Sequence, residues 1–168
     1  MIDVVKNLLD KESYNYLNKE VLNINFPWFY IEGQDNPNDG RFQFVHNIIL
    51  DSNINSTYYN VFKNLFFKSI KINNIYRLKV NLTTKIIDKE KCGTFHIDEP
   101  ELIKNNKNLK TSIYYFNDNN GGTEFVDKTF IKSEKNKLIT FNSKLKHRAV
   151  SHTDKNINKR IVINFLYD

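Results

Sequence analysis

The segment TSIYYFNDNNGGTEFVDKTFIK, residues 111–132, decides the fold class of this chain. Its two ends, TSIYYFN and TEFVDKTFIK, are rich in β-branched and aromatic residues and predict one extended run each, and the Asn, Asp and Gly residues between them favour a tight reversal. More such runs follow from residue 75 onward, namely IYRLKVNL, KLITFN, HRAVSH and RIVINFLY. Because no helix-length crossover separates them, the pattern predicts an antiparallel sandwich or barrel.

The first 74 residues carry two helical patterns with extended segments between them. Residues 57–71 repeat apolar side chains at helical spacing, which predicts a helix packed on the core, and residues 4–18 predict a weaker helix with Val5, Leu8 and Leu9 on one side. Between them, PWFYIE and RFQFVHNIIL predict strands joined by the turn formers of GQDNPNDG. We therefore expect one domain over residues 1–168, with helical support over about 1–74 and a β core over about 75–168.

Composition excludes several classes of protein. The 168 residues are 40% hydrophobic and 26% charged, which is typical of a folded soluble chain and not of a disordered one. The formal net charge of +6 would suit nucleic acid, but the lysines are spread along the chain among asparagines, which is typical of solvated loops. A lone cysteine, Cys92, and the lack of any long apolar run or signal peptide predict a reducing, cytoplasmic location and no membrane.

The segment GTFHIDEP, residues 93–100, holds a pair of residues able to bind a metal. His96 and Asp98 are two positions apart, so on an extended segment both side chains point to the same face. This pair alone is weak evidence for a metal site, because a surface histidine beside an aspartate is common. His147 follows a predicted turn further along, and Arg160 begins the last predicted strand. Two histidines and one carboxylate form the ligand set of a non-haem iron(II) site.

The order H-x-D, GG-T-x-F, H and R resembles the iron(II)- and 2-oxoglutarate-dependent oxygenases, specifically the prolyl-4-hydroxylase-like branch and its short phage-encoded members. The resemblance runs from IYRLKVNLTT to KRIVINFLY. It implies a mainly β chain whose core is a double-stranded β-helix, a jelly-roll or cupin-like barrel, with N-terminal helices packed outside. It also implies Fe(II), 2-oxoglutarate and O₂ as cofactors, and hydroxylation of a protein or peptide residue such as proline, with decarboxylation of 2-oxoglutarate to succinate. For a phage-encoded member, the expected location is the host cytoplasm.

The same resemblance implies which residues bind the metal. His96, Asp98 and His147 would be the ligands, leaving the remaining coordination positions for 2-oxoglutarate and O₂. His152 competes with His147, because five residues separate them and on one regular strand only one can face the iron. The family order favours His147. His46, within a predicted strand, is expected to be a core or cleft residue.

Three further residues are implied to hold the cosubstrate. Arg160 would pair with the distal carboxylate of 2-oxoglutarate, because its planar guanidinium can donate two parallel hydrogen bonds. Strand alternation turns its neighbour Lys159 outward. Tyr115 would help to bind the same carboxylate, although a one-residue shift in register would put Tyr114 there instead. Asn81 would contact the other end of the cosubstrate.

Two other functions remain open at this stage. Small β-barrels reuse histidine and carboxylate clusters, so a cupin-like metalloenzyme that does not use 2-oxoglutarate is one alternative. A non-catalytic basic module that binds nucleic acid is the other. The loops that would select a substrate are IIDKEKCG and EPELIKNNKNLK, and a nucleobase or a free small molecule stays possible beside a peptide.

Overall fold

The computed structural model describes residues 1–34, 39–87 and 92–168. The strands are β1 Ile2–Lys6, β2 Phe29–Glu32, β3 Phe42–Leu50, β4 Asn53–Ile54, β5 Ile75–Thr84, β6 Lys110–Tyr115, β7 Gly122–Phe125, β8 Phe130–Lys132, β9 Lys137–Asn142, β10 His147–Val150 and β11 Lys159–Tyr167. The helices are α1 Lys11–Val21, α2 Tyr59–Phe62, α3 Lys68–Ile70 and α4 Pro100–Asn105, with a π-helical turn, Lys63–Phe67, joining α2 to α3.

The strands form two antiparallel sheets. The large sheet has the order β1-β9-β6-β11-β5-β3-β2, with β4 paired to β3, and the small sheet has the order β10-β7-β8. In the large sheet β11 lies between β5 and β6, so the last strand of the described chain is central. These two sheets and their few flanking helices confirm the predicted fold class.

The helices cover one face of the large sheet. Along β5 and β11 alternate residues, such as Val80 and Ile163, are buried against helical side chains. Phe66, in the π-helical turn, packs 5.0 Å from the ring of Tyr114 and 5.2 Å from the ring of Phe165, measured between centroids. The apolar stripe predicted over residues 57–71 is therefore confirmed as core. The other face of the sheet is left to form a cavity.

The helix predicted over residues 4–18 is wrong at its beginning. Residues 2–6 form β1, which pairs with β9, and Asn7 ends the strand in a left-handed conformation with φ of 52°. The helix begins only at Lys11, after Asp10 accepts a 2.9 Å hydrogen bond from the backbone N–H of Ser13. Val5 is 44% exposed instead of packed in the core. Edge pairing and a strong N-cap therefore outweigh a weak helical pattern.

Two other expectations need correction. The run TEFVDKTFIK is two strands, β7 and β8, joined by a turn in which the backbone N–H of Lys128 donates to the carbonyl of Phe125 over 2.9 Å. The segment EPELIKNN contains α4, which begins at Pro100, a position where proline costs no hydrogen bond.

The predicted turn GQDNPNDG and the predicted loop IIDKEKCG lie partly outside the described residues. Four described strands fall within the first 74 residues, so the expected helical support also contributes to the large sheet. No helix of the described residues is long and apolar enough to cross a membrane.

We expect Phe66→Ala to lower the free energy of unfolding by about 3–5 kcal/mol, because it removes a fully buried aromatic ring and leaves a cavity. Urea denaturation followed by circular dichroism measures the change. Ile24→Ala is the control, since Ile24 is 97% exposed and its loss should cost within about 0.5 kcal/mol. Equal effects of the two variants would contradict the assignment of Phe66 to the core.

Candidate metal centre

A polar cavity lies between the two sheets. Its volume is about 100 Å³, and its lining comes from both sheets and from the segments beside them: Gln34, Gln43, Lys79, Asn81, Thr83, His96, Asp98, Ile113, Thr123, His147, Ala149, Arg160, Val162 and Asn164. A larger cleft of about 570 Å³ lies beside β1 and the end of β9. That cleft has no histidine, whereas the small cavity contains a cluster suited to a metal ion, so we place the functional site in the small cavity.

His96, Asp98 and His147 meet at this cavity. One potential ligand atom of each residue lies within 4.8 Å of those of the other two. The backbone holds the two histidines together, because His96 N–H donates to the carbonyl of His147 over 2.9 Å and His147 N–H donates to the carbonyl of His96 over 3.0 Å. The side chain of His147 contributes Nε2, 3.7 Å from Oδ2 of Asp98.

The orientation of both rings suits metal binding. Nδ1 of His96 lies 2.9 Å from the carbonyl oxygen of Thr94, and Nδ1 of His147 lies 3.1 Å from that of Leu145. A carbonyl at Nδ1 fixes the proton there and makes Nε2 the ligand atom, as is usual for metal-bound histidine. Burial lowers the pKa of His147 despite the nearby charge of Asp98. Its ring therefore favours the neutral form that binds metals.

Asp98 is held as a carboxylate by Arg77, a residue that the sequence analysis did not single out. Arg77 Nη2 donates to Oδ1 of Asp98 over 2.7 Å, and Nη1 donates to Oε1 of Glu99 over 2.7 Å. Burial alone would raise the pKa of Asp98, but the charge of Arg77, joined by the histidines in the acidic range where they are protonated, lowers it to about 2. Arg77 thus occupies Oδ1, whereas Oδ2 faces His147 and accepts only a long 3.4 Å hydrogen bond from the hydroxyl of Thr111, so that Oδ2 is the oxygen placed to bind a metal.

Arg160 lies at the opposite end of the cavity, buried on β11. Its Nε donates to Oγ of Ser133 over 3.2 Å and its Nη2 donates to the carbonyl of Gly122 over 3.1 Å, which fixes the guanidinium plane. Burial lowers the pKa of Arg160, though not enough to remove its charge at neutral pH. Lys159 is exposed, so alternation on β11 is as the sequence analysis expected.

Tyr115 reaches the site through Thr123. The hydroxyl of Tyr115 donates to Oγ1 of Thr123 over 2.8 Å, and Thr123 lines the cavity while Tyr115 does not. Burial raises the pKa of Tyr115 to about 12, so its hydroxyl keeps its proton. Because Oγ1 of Thr123 accepts this hydrogen bond, the hydroxyl of Thr123 can donate its own hydrogen into the cavity. The sequence analysis quoted the GG-T-x-F motif but gave Thr123 no role.

The remaining candidates divide between the cavity and the core. Asn81 lines the cavity, and its side-chain oxygen is buried without a hydrogen bond. Tyr114 faces the helices and donates to Oδ1 of Asn136 over 3.1 Å. His46 packs with its ring 4.8 Å from that of Phe26, and His152 is buried beyond the end of β10 without lining the cavity.

Comparison with known proteins supports the fold. No protein-family profile and no curated protein matches the sequence. Solved structures do match in shape. A 2OG-Fe(II) oxygenase family oxidoreductase from Burkholderia pseudomallei is 11% identical with a TM-score of 0.69, covering 99% of this chain and 84% of that one. A prolyl hydroxylase from Trichoplax adhaerens, in complex with a hypoxia inducible factor peptide fragment, is 15% identical with a TM-score of 0.67, covering 99% and 82%.

A viral collagen prolyl hydroxylase from Paramecium bursaria Chlorella virus-1 is 14% identical with a TM-score of 0.57, covering 99% of this chain and 94% of that one. At these identities the matches show the fold, and this chain has the jelly-roll fold of the 2-oxoglutarate oxygenases. The predicted fold is thereby confirmed over nearly the whole chain. The function rests on the residues of the cavity.

The pairing of Asp98 with Arg77 makes stability depend on pH. Because the pKa of Asp98 is about 2 when folded and about 3.9 when unfolded, the ionised carboxylate stabilises the fold above about pH 4, and this stabilisation is lost as the pH falls towards 2. We expect the stability advantage of the metal-free wild type over Asp98→Asn to shrink by about 2–3 kcal/mol between about pH 5 and pH 2.

Urea denaturation at each pH, with a chelator present, measures this advantage. Asp51→Asn at an exposed turn is the control, and it should change stability by less than about 0.5 kcal/mol across the range. An advantage that stayed constant from pH 5 to pH 2 would contradict the effect of Arg77 on Asp98.

Proposed function

We propose that this chain is an Fe(II)- and 2-oxoglutarate-dependent dioxygenase that hydroxylates a residue of a protein or peptide. One observation carries the proposal. Three metal-ligand side chains, His96, Asp98 and His147, converge at one end of a cavity whose other end holds the buried cation of Arg160. A metal site and a carboxylate anchor that share one small cavity are what a chelating 2-oxo acid requires.

The residues present fit the metal. Two imidazole nitrogens and one carboxylate oxygen on one side of an iron(II) ion leave open positions for a bidentate 2-oxo acid and for O₂. When bound, the iron(II) ion would supply the oxidative decarboxylation of 2-oxoglutarate to succinate, coupled to hydroxylation of the substrate. The role of the chain is to bind, orient and enclose the reactants.

The residues of the cavity divide this work. Arg160 binds the distal carboxylate, and Thr123 adds a hydroxyl donor beside it. Ser133 and the carbonyl of Gly122 already hold the guanidinium of Arg160 in place, so its side chain loses little conformational entropy when the cosubstrate binds. Arg77 keeps Asp98 ionised and correctly rotated at the metal end.

The substrate class draws support from the fold comparison. The Trichoplax adhaerens structure holds a peptide fragment, and the Chlorella virus protein is a collagen prolyl hydroxylase. We therefore infer a peptide segment as the substrate of this chain, and its single cysteine favours the reducing cytoplasm as the place where it acts. The cupin-like alternative gives no reason for a buried arginine at the far end of the cavity, and the nucleic-acid alternative gives none for the ligand cluster.

Metal binding tests the ligand set. We expect His147→Ala to weaken binding of Co²⁺ or Mn²⁺ at least as much as loss of an outer-shell partner does, which is about 10–100-fold. The matched control is His152→Ala, which also removes a buried histidine and should leave metal affinity unchanged once circular dichroism confirms that it folds. Loss of binding in His152→Ala alone would assign the third ligand to His152.

Cosubstrate binding tests the function itself. In an anaerobic titration of the Fe(II) protein with 2-oxoglutarate, we expect a visible charge-transfer band from the chelate. Arg160→Gln should need at least about 30-fold more 2-oxoglutarate, since removing one partner of a buried charge pair costs about 2 kcal/mol or more. Lys159→Gln, at the exposed neighbouring position, is the control and should match the wild type. A folded protein that binds metal but gives no band would overturn the proposal.

A further inference from the structure

A second polar group lies on the inner face of β5, near the metal end. Lys79 lines the cavity and lies two residues after Arg77 on β5, so both side chains are on the same face of the strand. Its cross-strand neighbours are Asn47 on β3 and Asn164 on β11. Asn81, the next inward residue of β5, also lines the cavity. An ammonium group and three carboxamides therefore lie close together on the inner face of the large sheet.

Among the described residues, these groups have no hydrogen-bond partners. The side-chain oxygens of Asn47, Asn81 and Asn164 are buried and accept no hydrogen bond. Within the described parts of the chain, no acceptor lies within hydrogen-bonding or ion-pairing distance of the Lys79 ammonium group. Most buried polar atoms in native proteins have partners, and each one left without a partner costs about 1–3 kcal/mol. A cluster of such groups therefore indicates a polar ligand.

Charge favours an anion as that ligand. The described residues that line the cavity include two basic side chains, Lys79 and Arg160, and one carboxylate, Asp98. The charges of a divalent metal and a dianionic 2-oxo acid would cancel each other. The two basic side chains and the single carboxylate then leave one positive charge uncompensated. Burial and the charge of Arg77 lower the pKa of Lys79 to about 8, against the opposing charges of Asp98 and Glu99. Lys79 is therefore still mostly a cation at neutral pH.

Distance separates Lys79 from the cosubstrate anchor. Asn164, which pairs with Lys79, lies four residues beyond Arg160 on β11, a backbone separation of about 13 Å at strand spacing. The five-carbon chain of 2-oxoglutarate has four bonds of about 1.5 Å, so its ends are at most about 6 Å apart. Along the sheet, the layer of Lys79 is therefore about twice the length of the 2-oxoglutarate chain from the layer of Arg160.

Building on the proposed function, we propose that Lys79, with the carboxamide of its cross-strand neighbour Asn164, binds a carboxylate beside the metal, and that this carboxylate belongs to the primary substrate. The substrate class is then an acidic residue, or a residue at a free carboxyl terminus, with the carboxylate near the carbon to be hydroxylated. An uncharged proline inside a peptide would leave the Lys79 charge uncompensated.

Calorimetry on the Mn²⁺ protein tests this inference with the full chain. The first titration is with 2-oxoglutarate. The second, at saturating 2-oxoglutarate, compares two pairs of probes that differ in one charge: N-acetyl-aspartate amide against N-acetyl-asparagine amide, and N-acetyl-proline against its amide. The variants are Lys79→Met, which keeps the length of the side chain without its charge, and Lys85→Met at an exposed position near the end of β5 as the control.

We expect the wild type to bind the acidic member of at least one pair about 10-fold or more tightly than the amide, since hydrogen bonds to a charged group contribute about 1.5–3 kcal/mol. Lys79→Met should remove this preference and bind 2-oxoglutarate as the wild type does, while Lys85→Met keeps both properties.

The failing outcomes are distinct. A wild type with no preference for either acidic probe, or a Lys79→Met variant that keeps the preference, would overturn the inference and leave the proposed function standing. A Lys79→Met variant that instead loses 2-oxoglutarate affinity would assign the carboxylate to the cosubstrate and overturn the substrate class. A folded, metal-bound wild type that fails to bind 2-oxoglutarate in the first titration would overturn the proposed function.

Discussion

The site depends on two backbone hydrogen bonds between His96 and His147. These residues come from distant parts of the chain, and the paired N–H and carbonyl groups place their rings 4.8 Å apart between centroids. Asp98 lies in a bend two residues after His96, where its carboxylate accepts a 2.7 Å hydrogen bond from Arg77 on the large sheet. The metal site is therefore a product of sheet pairing, and side-chain packing only completes it.

The second organising feature is the alternation along β5 and β11. On one face, residues such as Val80, Ile161 and Phe165 pack against the helices and form the core. On the other face, Lys79, Asn81, Asn164 and Arg160 line the cavity. The apolar residues hold the sheet against the helices, and the burial energy gained there offsets the cost of leaving polar groups unpaired on the reverse face.

The sequence predicted the strands from residue 75 onward because their alternation is strong and their turns carry Asn, Asp and Gly. It could not predict β1, since that short segment becomes a strand only through pairing with β9, which is far away in sequence. At the site, the H-x-D motif indicated His96 and Asp98. Arg77 and Lys79 were missed, although the polar residues of YRLKVNL alternate with apolar ones, because alternation alone does not distinguish a cavity face from a solvent face.

The central position of β11 has a consequence for how this protein can vary over evolutionary time. Each residue of the strand lies either in the core or in the cavity, so no position along its middle is neutral. A single-residue insertion there would reverse the facing of every residue on one side of it, turning either Arg160 towards the helices or Ile163 towards the cavity. Adaptation to new substrates is therefore restricted to paired, conservative exchanges within the strand, or to the loops at the rim, where length can change without shifting the register.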